Sequence, residues 1–289
     1  MNKKSLLYIV IAGIMWGTSG IFFNLLTPYG FSPLQMTAMR GVIAAISMSI
    51  FLLLSDKSFF RLNKKEIFLV LGSGLCMFLA AYFYYFAIQK SSVSTAVILM
   101  YTAPVFVLAY AVAFLGEKLN KIKALSIVFM IIGCALVSGV VGGIKLSFAG
   151  ILLGLLAGIT YSGYNIFTKI QMMHKVNSKT SSVYSFIVMA IVSLCFCNPP
   201  QMVEITAQKP FIIIPLIIGI GVCTCVLPYF LYATALKKIP AGTATALGII
   251  EPMSATIFSV VIFGEKLSVF SVIGIILILV SCVALSKSE

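Results

Sequence analysis

The chain has 289 residues, of which 61% are hydrophobic and 9% are charged, and its mean hydropathy is +1.13. A soluble domain has an apolar share of about 45–50%, so this composition excludes a soluble globular protein and predicts an integral membrane protein. The net charge of +13 would suit a surface that binds nucleic acid. The distribution of the positive charges argues against that partner.

Ten apolar segments follow one another with short connections, and each has about the 20 residues that a membrane-spanning helix needs. The predicted spans are residues 5–26, 34–54, 66–88, 93–115, 121–140, 147–170, 181–197, 211–235, 241–263 and 269–286. The first span is too long for a secretory signal, and no small-x-small cleavage site follows it. The sequence therefore predicts an all-α fold of ten transmembrane helices without a soluble domain.

The positive charges give this fold an orientation. With the N-terminus in the cytoplasm, inner segments hold fifteen Lys and Arg residues, outer segments hold four, and Arg40 lies within the second span. The inner charges are Lys3, Lys4, Lys57, Arg61, Lys64, Lys65, Lys118, Lys121, Lys123, Lys169, Lys175, Lys179, Lys237, Lys238 and Lys287, and the outer ones are Lys90, Lys145, Lys209 and Lys266. The positive-inside rule predicts a multi-pass protein of the cell membrane with both termini cytoplasmic.

The sequence repeats itself at an offset of 148 residues. Between residues 90–119 and 238–267, ten of thirty positions are identical, including Pro104 and Pro252 and the Gly-Glu-Lys-Leu ends. At an offset of 145, residues 12–16 resemble residues 157–161. We predict two five-helix repeats, residues 1–144 and 145–289. Because five is odd, the second repeat enters the membrane inverted, an arrangement typical of secondary transporters with a site near the midplane.

These residues resemble the drug/metabolite transporter superfamily in its EamA-type form with ten helices and two repeats. The shared features are the Trp16-Gly17 pair, Arg40, the phrases at 86–90 and 234–238, and a proline about twelve residues before Gly-Glu-Lys-Leu in each half. The resemblance implies a carrier whose central cavity is lined by spans 1, 3, 4, 6, 8 and 9. It implies substrates among amino acids, other small metabolites, nucleotide-linked compounds and lipophilic cations.

Glu251 is a carboxylate about ten residues into the ninth span, near the bilayer centre, and its repeat counterpart is Ala103. A charged side chain at this depth costs about 2.5–3.5 kcal/mol on insertion scales. We predict that Glu251 contacts a cationic substrate or couples transport to protons. The alternative is a structural role, either a pair with Arg40 or a hydrogen bond to another helix. Arg40 lies about seven residues into the second span and could instead hold a substrate carboxylate.

Other candidate residues are prolines and aromatics. Pro104 and Pro252 remove a helical hydrogen bond each, from the carbonyls of Met100 and Gly248, so both spans can bend there as hinges that line the site. Simple packing kinks are the alternative. The aromatic candidates could wall a cavity that attracts organic cations. The predicted substrate-binding residues are Trp16, Tyr84, Tyr85, Tyr101, Tyr161, Asn165, Tyr229, Tyr232 and Glu251, and Tyr164 belongs to the same aromatic group.

The remaining features suggest scaffold roles. Glu117 and Glu265 are predicted to be gating or structural pairs at opposite membrane surfaces. The small faces Gly13/Gly17 and Gly150/Gly154/Gly158 are predicted to pack helices closely, with dimerisation as the lesser possibility. The seven cysteines lie in apolar runs, and the partners of Cys195/Cys197 and Cys223/Cys225 point to different sides of a helix, so we expect free thiols and no metal.

The sequence therefore predicts a secondary active transporter of a small organic metabolite, such as an amino acid or organic cation, proton-coupled or an exporter. We expect a monomer or homodimer in the lipid bilayer, without cofactors. A channel or a lipid-flipping protein is the alternative. The residues 17–20 resemble the serine motif of rhomboid-type proteases, but the single histidine, His174, lies in an inner loop, so an enzyme is not expected.

Overall fold

The computed structural model describes residues 3–55, 62–91, 93–137, 147–264 and 268–287. Within these ranges the chain is helical and contains no strand, which confirms the predicted all-α class. Several residues of the sequence predictions lie outside the described ranges, namely Lys57, Arg61, Lys145 and the second Gly-Glu-Lys-Leu end from Glu265.

The helices in chain order are α1 (Lys3–Gly17), α2 (Ser19–Leu26), α3 (Pro33–Ser55), α4 (Lys64–Lys90), α5 (Val93–Met100), α6 (Ala103–Phe114), α7 (Lys121–Val137), α8 (Phe148–Met173), α9 (Ser178–Phe196), α10 (Pro199–Gln208), α11 (Pro210–Gly221), α12 (Leu227–Ala235), α13 (Ala241–Leu247), α14 (Ile250–Phe263) and α15 (Val269–Lys287). A 3₁₀ turn at Thr27–Tyr29 follows α2, and a π turn at Val222–Val226 joins α11 to α12.

Each of the ten predicted spans falls on one helix or on two consecutive helices. Among the described residues, eight helical segments are long and apolar enough to cross a membrane, and Val269–Leu285 is a shorter apolar helix. The helix at the fifth predicted span, α7, has 17 residues. The chain is thus a multi-pass membrane protein, and the count of ten spans stays a prediction.

Two predicted spans are interrupted where the sequence places a proline. The fourth span breaks at Tyr101 and Thr102 before Pro104, and the ninth breaks at Gly248 and Ile249 before Pro252. Proline has no N–H to donate, so the helix cannot continue with regular hydrogen bonds through either point. Each broken span therefore consists of two half-helices that meet inside the bundle.

The helix α10 was not predicted from the sequence. Asn198 accepts the backbone N–H of Gln201 and two prolines occupy the first turn, which is a standard helix start. Ile205 of α10 is buried in a small cluster with Leu26 and Met36. This helix covers the connection between α2 and α3 on the predicted outer side.

Helices from the two halves of the chain pack against each other in matching pairs. The helix α1 contacts α12 and α14, and α8, at the corresponding place in the second half, contacts α4, α5 and α6. The helix α3 contacts α9, and α7 contacts α15. The main core lies between the halves, where Phe78, Phe186 and Met189 are fully buried.

Glycines allow the closest of these approaches. A Cβ at Gly17 would lie 2.7 Å from Ser254 Cβ of α14, and one at Gly158 would lie 2.8 Å from the Leu99 carbonyl oxygen of α5. Gly150 and Gly154 are approached as closely by residues of the other half, and a Cβ at Gly13 would lie 3.0 Å from Ile250 Cβ. The predicted small-residue packing is confirmed as packing within one chain, and it brings backbones into van der Waals contact where hydrophobic driving force is absent.

Candidate functional site

Glu251 lies in the first turn of α14, where the broken ninth span resumes. Its backbone N–H bonds to the Gly248 carbonyl at 3.0 Å, which closes the turn between the half-helices. The N-terminal end of a helix carries partial positive charge, so this position favours a carboxylate. Ala103 occupies the same place at the start of α6, one residue before Pro104. The two breaks share a backbone design and differ in charge.

The Glu251 side chain lies inside the bundle and is half-buried. Four predicted tyrosines from different predicted spans lie within electrostatic range of its carboxyl group, namely Tyr84, Tyr101, Tyr161 and Tyr229. Tyr84 and Tyr161 are half-buried as well. These predicted candidates therefore cluster around Glu251.

The indole nitrogen of Trp16, close to this cluster, is buried and has no hydrogen-bond partner within the described part of the chain. The Tyr101 hydroxyl, by contrast, has the Glu251 carboxyl group as its hydrogen-bonding neighbour. A buried donor without a partner costs about 1–3 kcal/mol. The Trp16 N–H is therefore suited to a guest molecule that supplies the missing acceptor.

Trp16 forms part of the wall from α1. Its ring lies 5.1 Å from that of Tyr229 at 68° and 5.4 Å from that of Tyr232. Its predicted repeat partner, Tyr161, stacks instead on Tyr164 at 6.4 Å and 9°. Trp16 is 5% exposed, so its ring is packed within the bundle.

Tyr84 and Tyr232 are repeat counterparts that differ in the use of their hydroxyl groups. The Tyr232 hydroxyl lies 3.2 Å from Thr245 Oγ1, and the ring is buried. The residue that corresponds to Thr245 in the first half is Val97, which cannot form that hydrogen bond. The hydroxyl of Tyr84 thus lacks this structural partner and faces the neighbourhood of Glu251.

Arg40 enters the same region from α3. It is half-buried within the bundle, acts electrostatically on Cys225, Tyr229 and Glu251, and its Nε atom has no hydrogen-bond partner in the described ranges. Arg40 and Glu251 act on each other electrostatically but do not form a direct ion pair in the described ranges. The sequence alternative of a structural Arg40–Glu251 pair stays a prediction. The guanidinium also lies near Cys225 of the π turn and Tyr229 of α12.

The π turn that faces Arg40 has a local cause. Pro228 cannot donate a hydrogen bond to the preceding turn, and the Leu227 N–H bonds to the Val222 carbonyl, five residues back. Widened turns of this kind occur often at functional sites. Pro228 within an apolar run was the sequence signal for this feature.

Two predicted substrate contacts lie apart from the cluster. The Tyr85 hydroxyl accepts a hydrogen bond from Gln89 Nε2 at 2.7 Å, near the end of α4. Asn165 is fully buried, and its Nδ2 donates to the Tyr161 carbonyl of its own helix at 2.9 Å. Both interactions are local to one helix, so their role as substrate contacts stays a prediction.

Glu117 joins the two halves at the predicted inner surface. Its Oε1 atom accepts the backbone N–H of Ala241, the first residue of α13, at 2.6 Å, and its Oε2 atom lies 3.1 Å from Lys123 Nζ. Lys123 is 2% exposed. We call Glu117, Lys123 and Ala241 the inner latch. This arrangement agrees with the predicted pairing role of Glu117, whereas its counterpart Glu265 lies outside the described residues.

A second contact at the same surface was not predicted. Lys169 of α8 donates to the carbonyl oxygens of Leu236 and Ile239 at 3.0 and 2.9 Å, in the connection between α12 and α13. The residues that correspond to Lys123 and Lys169 in the other half are Ser271 and Asn24. Every residue has a backbone carbonyl, so no sequence pattern indicates which carbonyl oxygens a lysine contacts. The partners of Lys169 could therefore not be predicted from the sequence.

The cysteines are free thiols, and Cys195 is exposed rather than packed. Among the described residues, no three His, Cys, Asp or Glu side chains lie close enough together to hold a metal ion. The arrangement around Glu251 can therefore bind and orient a polar organic molecule through charge, hydroxyl groups and ring faces.

The membrane-spanning helices and the similar proteins together define the class as multi-pass membrane transporters. The chain belongs to the EamA-like transporter family, whose model matches residues 3–139 and, separately, residues 148–287. The predicted family resemblance is thus confirmed.

Curated relatives carry transporter names. The chain is 26% identical to "Uncharacterized transporter YwfM" of Bacillus subtilis over 98% of this chain and 93% of the relative. It is 25% identical to an "Uncharacterized transporter" of Clostridium kluyveri over 97% of this chain and 92% of that protein. A crystal structure aligns with a TM-score of 0.80 over 100% of this chain and 98% of that one, at 16% identity, a likeness that shows the fold alone.

Proposed function

We propose that the protein is a secondary active transporter that carries a small organic molecule with a cationic group, such as an amino acid or an organic cation. The observation that carries this proposal is the cluster of tyrosines around the Glu251 carboxylate at the break between α13 and α14, which we take to line an internal cavity. A carboxylate and ring faces together attract ammonium groups. The same carboxylate can exchange a proton, which would couple transport to a proton gradient or drive export.

Arg40 narrows the proposed substrate class. Its guanidinium is within electrostatic reach of Glu251 without pairing with it. A zwitterion could place its ammonium group at Glu251 and its carboxylate at Arg40, and a bidentate contact suits the guanidinium. An amino acid therefore fits the two charges better than a simple cation does.

Alternating access is the proposed mechanism, and inverted repeats at residues 1–144 and 145–289 are its proposed basis. The matching contacts of α1 with α14 and of α8 with α5 support two related halves. So do Gly116 and Gly264, which both have a φ of 70° next to the repeated Glu-Lys-Leu. In this conformation the inner latch and Lys169 hold the predicted inner surface closed. The substrate would therefore enter the cavity from the outer side.

The proposed setting is the cell membrane, with both termini in the cytoplasm and the protein as a monomer or homodimer. A channel or lipid-flipping protein is the second candidate, because pores can also be built from repeats. Saturable flux that depends on a counter-ion in liposomes would identify a carrier, whereas flux linear in concentration would identify a pore.

The test combines binding with transport. Purified protein is screened by thermal shift against amino acids, quaternary amines and nucleosides, since a ligand of the native state raises its stability. Uptake of the hit is then measured in liposomes for the wild type, Glu251→Gln and the exposed control Glu204→Gln, across a pH series. Loss of uptake in Glu251→Gln alone supports the proposal, and unchanged uptake with an unchanged pH response contradicts it.

A further inference from the structure

A basic cleft lies at the predicted inner surface, away from the Glu251 cavity. It has a volume of about 360 Å³ and is lined by Lys64, Lys65, Phe68, Leu69 and His174. It forms where the start of α4 and the end of α8 meet. The proposed transport mechanism uses none of these residues.

Local hydrogen bonds fix both walls of the cleft. Asn63 and Glu66 form a capping box at the start of α4, with distances of 2.8 and 2.9 Å, so the Glu66 carboxylate is engaged by the Asn63 N–H. At the end of α8, the Val176 N–H bonds to the Gln171 carbonyl at 3.0 Å and Lys175 has a φ of 61°. This is a Schellman ending, which satisfies the last carbonyls of α8 beside the cleft.

The charge of the cleft is positive. As far as the described residues go, its lining contains two lysines and a histidine and no acidic residue. The positive end of the α4 dipole points toward the same place. A ligand with a negatively charged phosphate group matches this wall.

The floor of the cleft is apolar and continues down the bundle. Phe68 is 68% exposed and contacts Phe167 with its edge, at a distance of 6.4 Å between ring centroids. Leu71 and Leu75 extend the exposed apolar face along α4 in the direction of the membrane centre. A soluble phosphate would leave this floor uncovered, whereas the acyl chains of a lipid would cover it.

We infer that this cleft binds the phosphate headgroup of an anionic phospholipid of the inner leaflet, with the acyl chains along Phe68, Leu71 and Leu75. Basic clefts between membrane helices on the cytoplasmic side are suited to such headgroups. The inference rests on the orientation given under the proposed function, but it requires no particular transport substrate.

The test is lipid binding measured by native mass spectrometry, with phosphatidylglycerol added in graded amounts to protein in neutral detergent. Lys64→Gln/Lys65→Gln is compared with Lys237→Gln/Lys238→Gln, which removes the same charge from another exposed lysine pair at the inner surface. We expect the first variant to bind the tightest phosphatidylglycerol roughly 30-fold more weakly, since each lysine near a lipid headgroup contributes about fivefold. The control should stay within about twofold of the wild type.

Further arms separate the sources of phosphate. Inorganic phosphate should not raise the melting temperature, and Phe68→Ala should weaken phosphatidylglycerol binding while all variants melt normally in phosphatidylcholine. An equal loss of binding in both lysine variants, no loss in the first, or stabilisation by phosphate equal to that by the lipid would overturn the inference. Because binding is measured without a substrate, an absence of transport would not affect this result.

Discussion

The broken helices α5–α6 and α13–α14 have the same backbone features but different side chains at the break. Both are interrupted before a proline, both end at a glycine with a φ of 70°, and both are approached by a glycine face, from α8 and α1 respectively. Only the second carries a carboxylate at its break, at Glu251, where the first has Ala103. The start of α13 is also held by Glu117 of the other half.

The difference separates scaffold from chemistry. The features that recur in both broken helices are the proline, the terminal glycine and the neighbouring glycine face. They give each half two half-helices that pack closely against a neighbouring helix. Features found once, such as Glu251, can recognise a particular molecule, because a symmetric pair of charges would double the burial cost. The predictions below test this separation.

The largest effect is expected at the unmatched residue. Glu251→Gln should lower transport or substrate affinity roughly 10- to 100-fold, the value of a hydrogen bond to a charged group. The melting temperature should change little, because Glu251 is half-buried and has no ion-pair partner to lose in the described part of the chain. Liposome uptake and thermal melting measured side by side check both parts, and a collapse of stability would assign Glu251 to the scaffold.

The close-packed glycines of α1 and α8 should instead affect stability in both halves. Gly17→Ala and Gly158→Ala place a Cβ 2.9 and 2.8 Å from backbone atoms that cannot easily move, at Ala255 N and Leu99 O. Each should destabilise the protein by about 1–3 kcal/mol. Gly20→Ala is the control, because a Cβ there meets nothing within 4 Å. Thermal or denaturant melting measures the effect, and similar values for Gly17→Ala and Gly20→Ala would refute the packing argument.

The inner latch should affect the dynamics of α13. Glu117→Gln removes the carboxylate that contacts Lys123 and weakens the bond to the Ala241 N–H. We expect amide hydrogen exchange in α13 to become roughly tenfold faster, as for the loss of about 1.4 kcal/mol of local stability. Glu66→Gln, which alters another carboxylate cap, should leave α13 unchanged. Equal exchange in α13 for both variants would show that Glu117 does not hold this surface.

The smallest effect concerns the tyrosine counterparts. Tyr232→Phe removes the hydrogen bond to Thr245 and should cost about 0.5–1.5 kcal/mol of stability. Tyr84→Phe should leave the melting temperature almost unchanged and weaken substrate binding instead, since its hydroxyl faces Glu251. Melting curves together with ligand titrations distinguish the two. A loss of stability in Tyr84→Phe together with weaker substrate binding in Tyr232→Phe would contradict this assignment of roles.

The sequence was informative where the physics is local or repeated. Apolar length located the helices within a few residues, and Pro104 and Pro252 marked the two breaks. The convergence of Tyr84, Tyr101 and Tyr161 on Glu251 depends on how distant helices are rotated against each other, which no local pattern encodes. The contact of Lys169 with two carbonyl oxygens likewise depends on how distant segments meet.

The glycine face of α1 also has a consequence for how the protein is made. Gly13 and Gly17 pack against Ile250 and Ser254, residues that the ribosome adds more than two hundred positions later. Before α14 is synthesised, the glycine face of α1 is covered by lipid. The half-helix α13 has 7 residues and extends roughly 10 Å, so it cannot cross the bilayer alone. The helix α14 therefore docks onto α1 only late in synthesis, when α15 is the one helix still to follow in the described part of the chain.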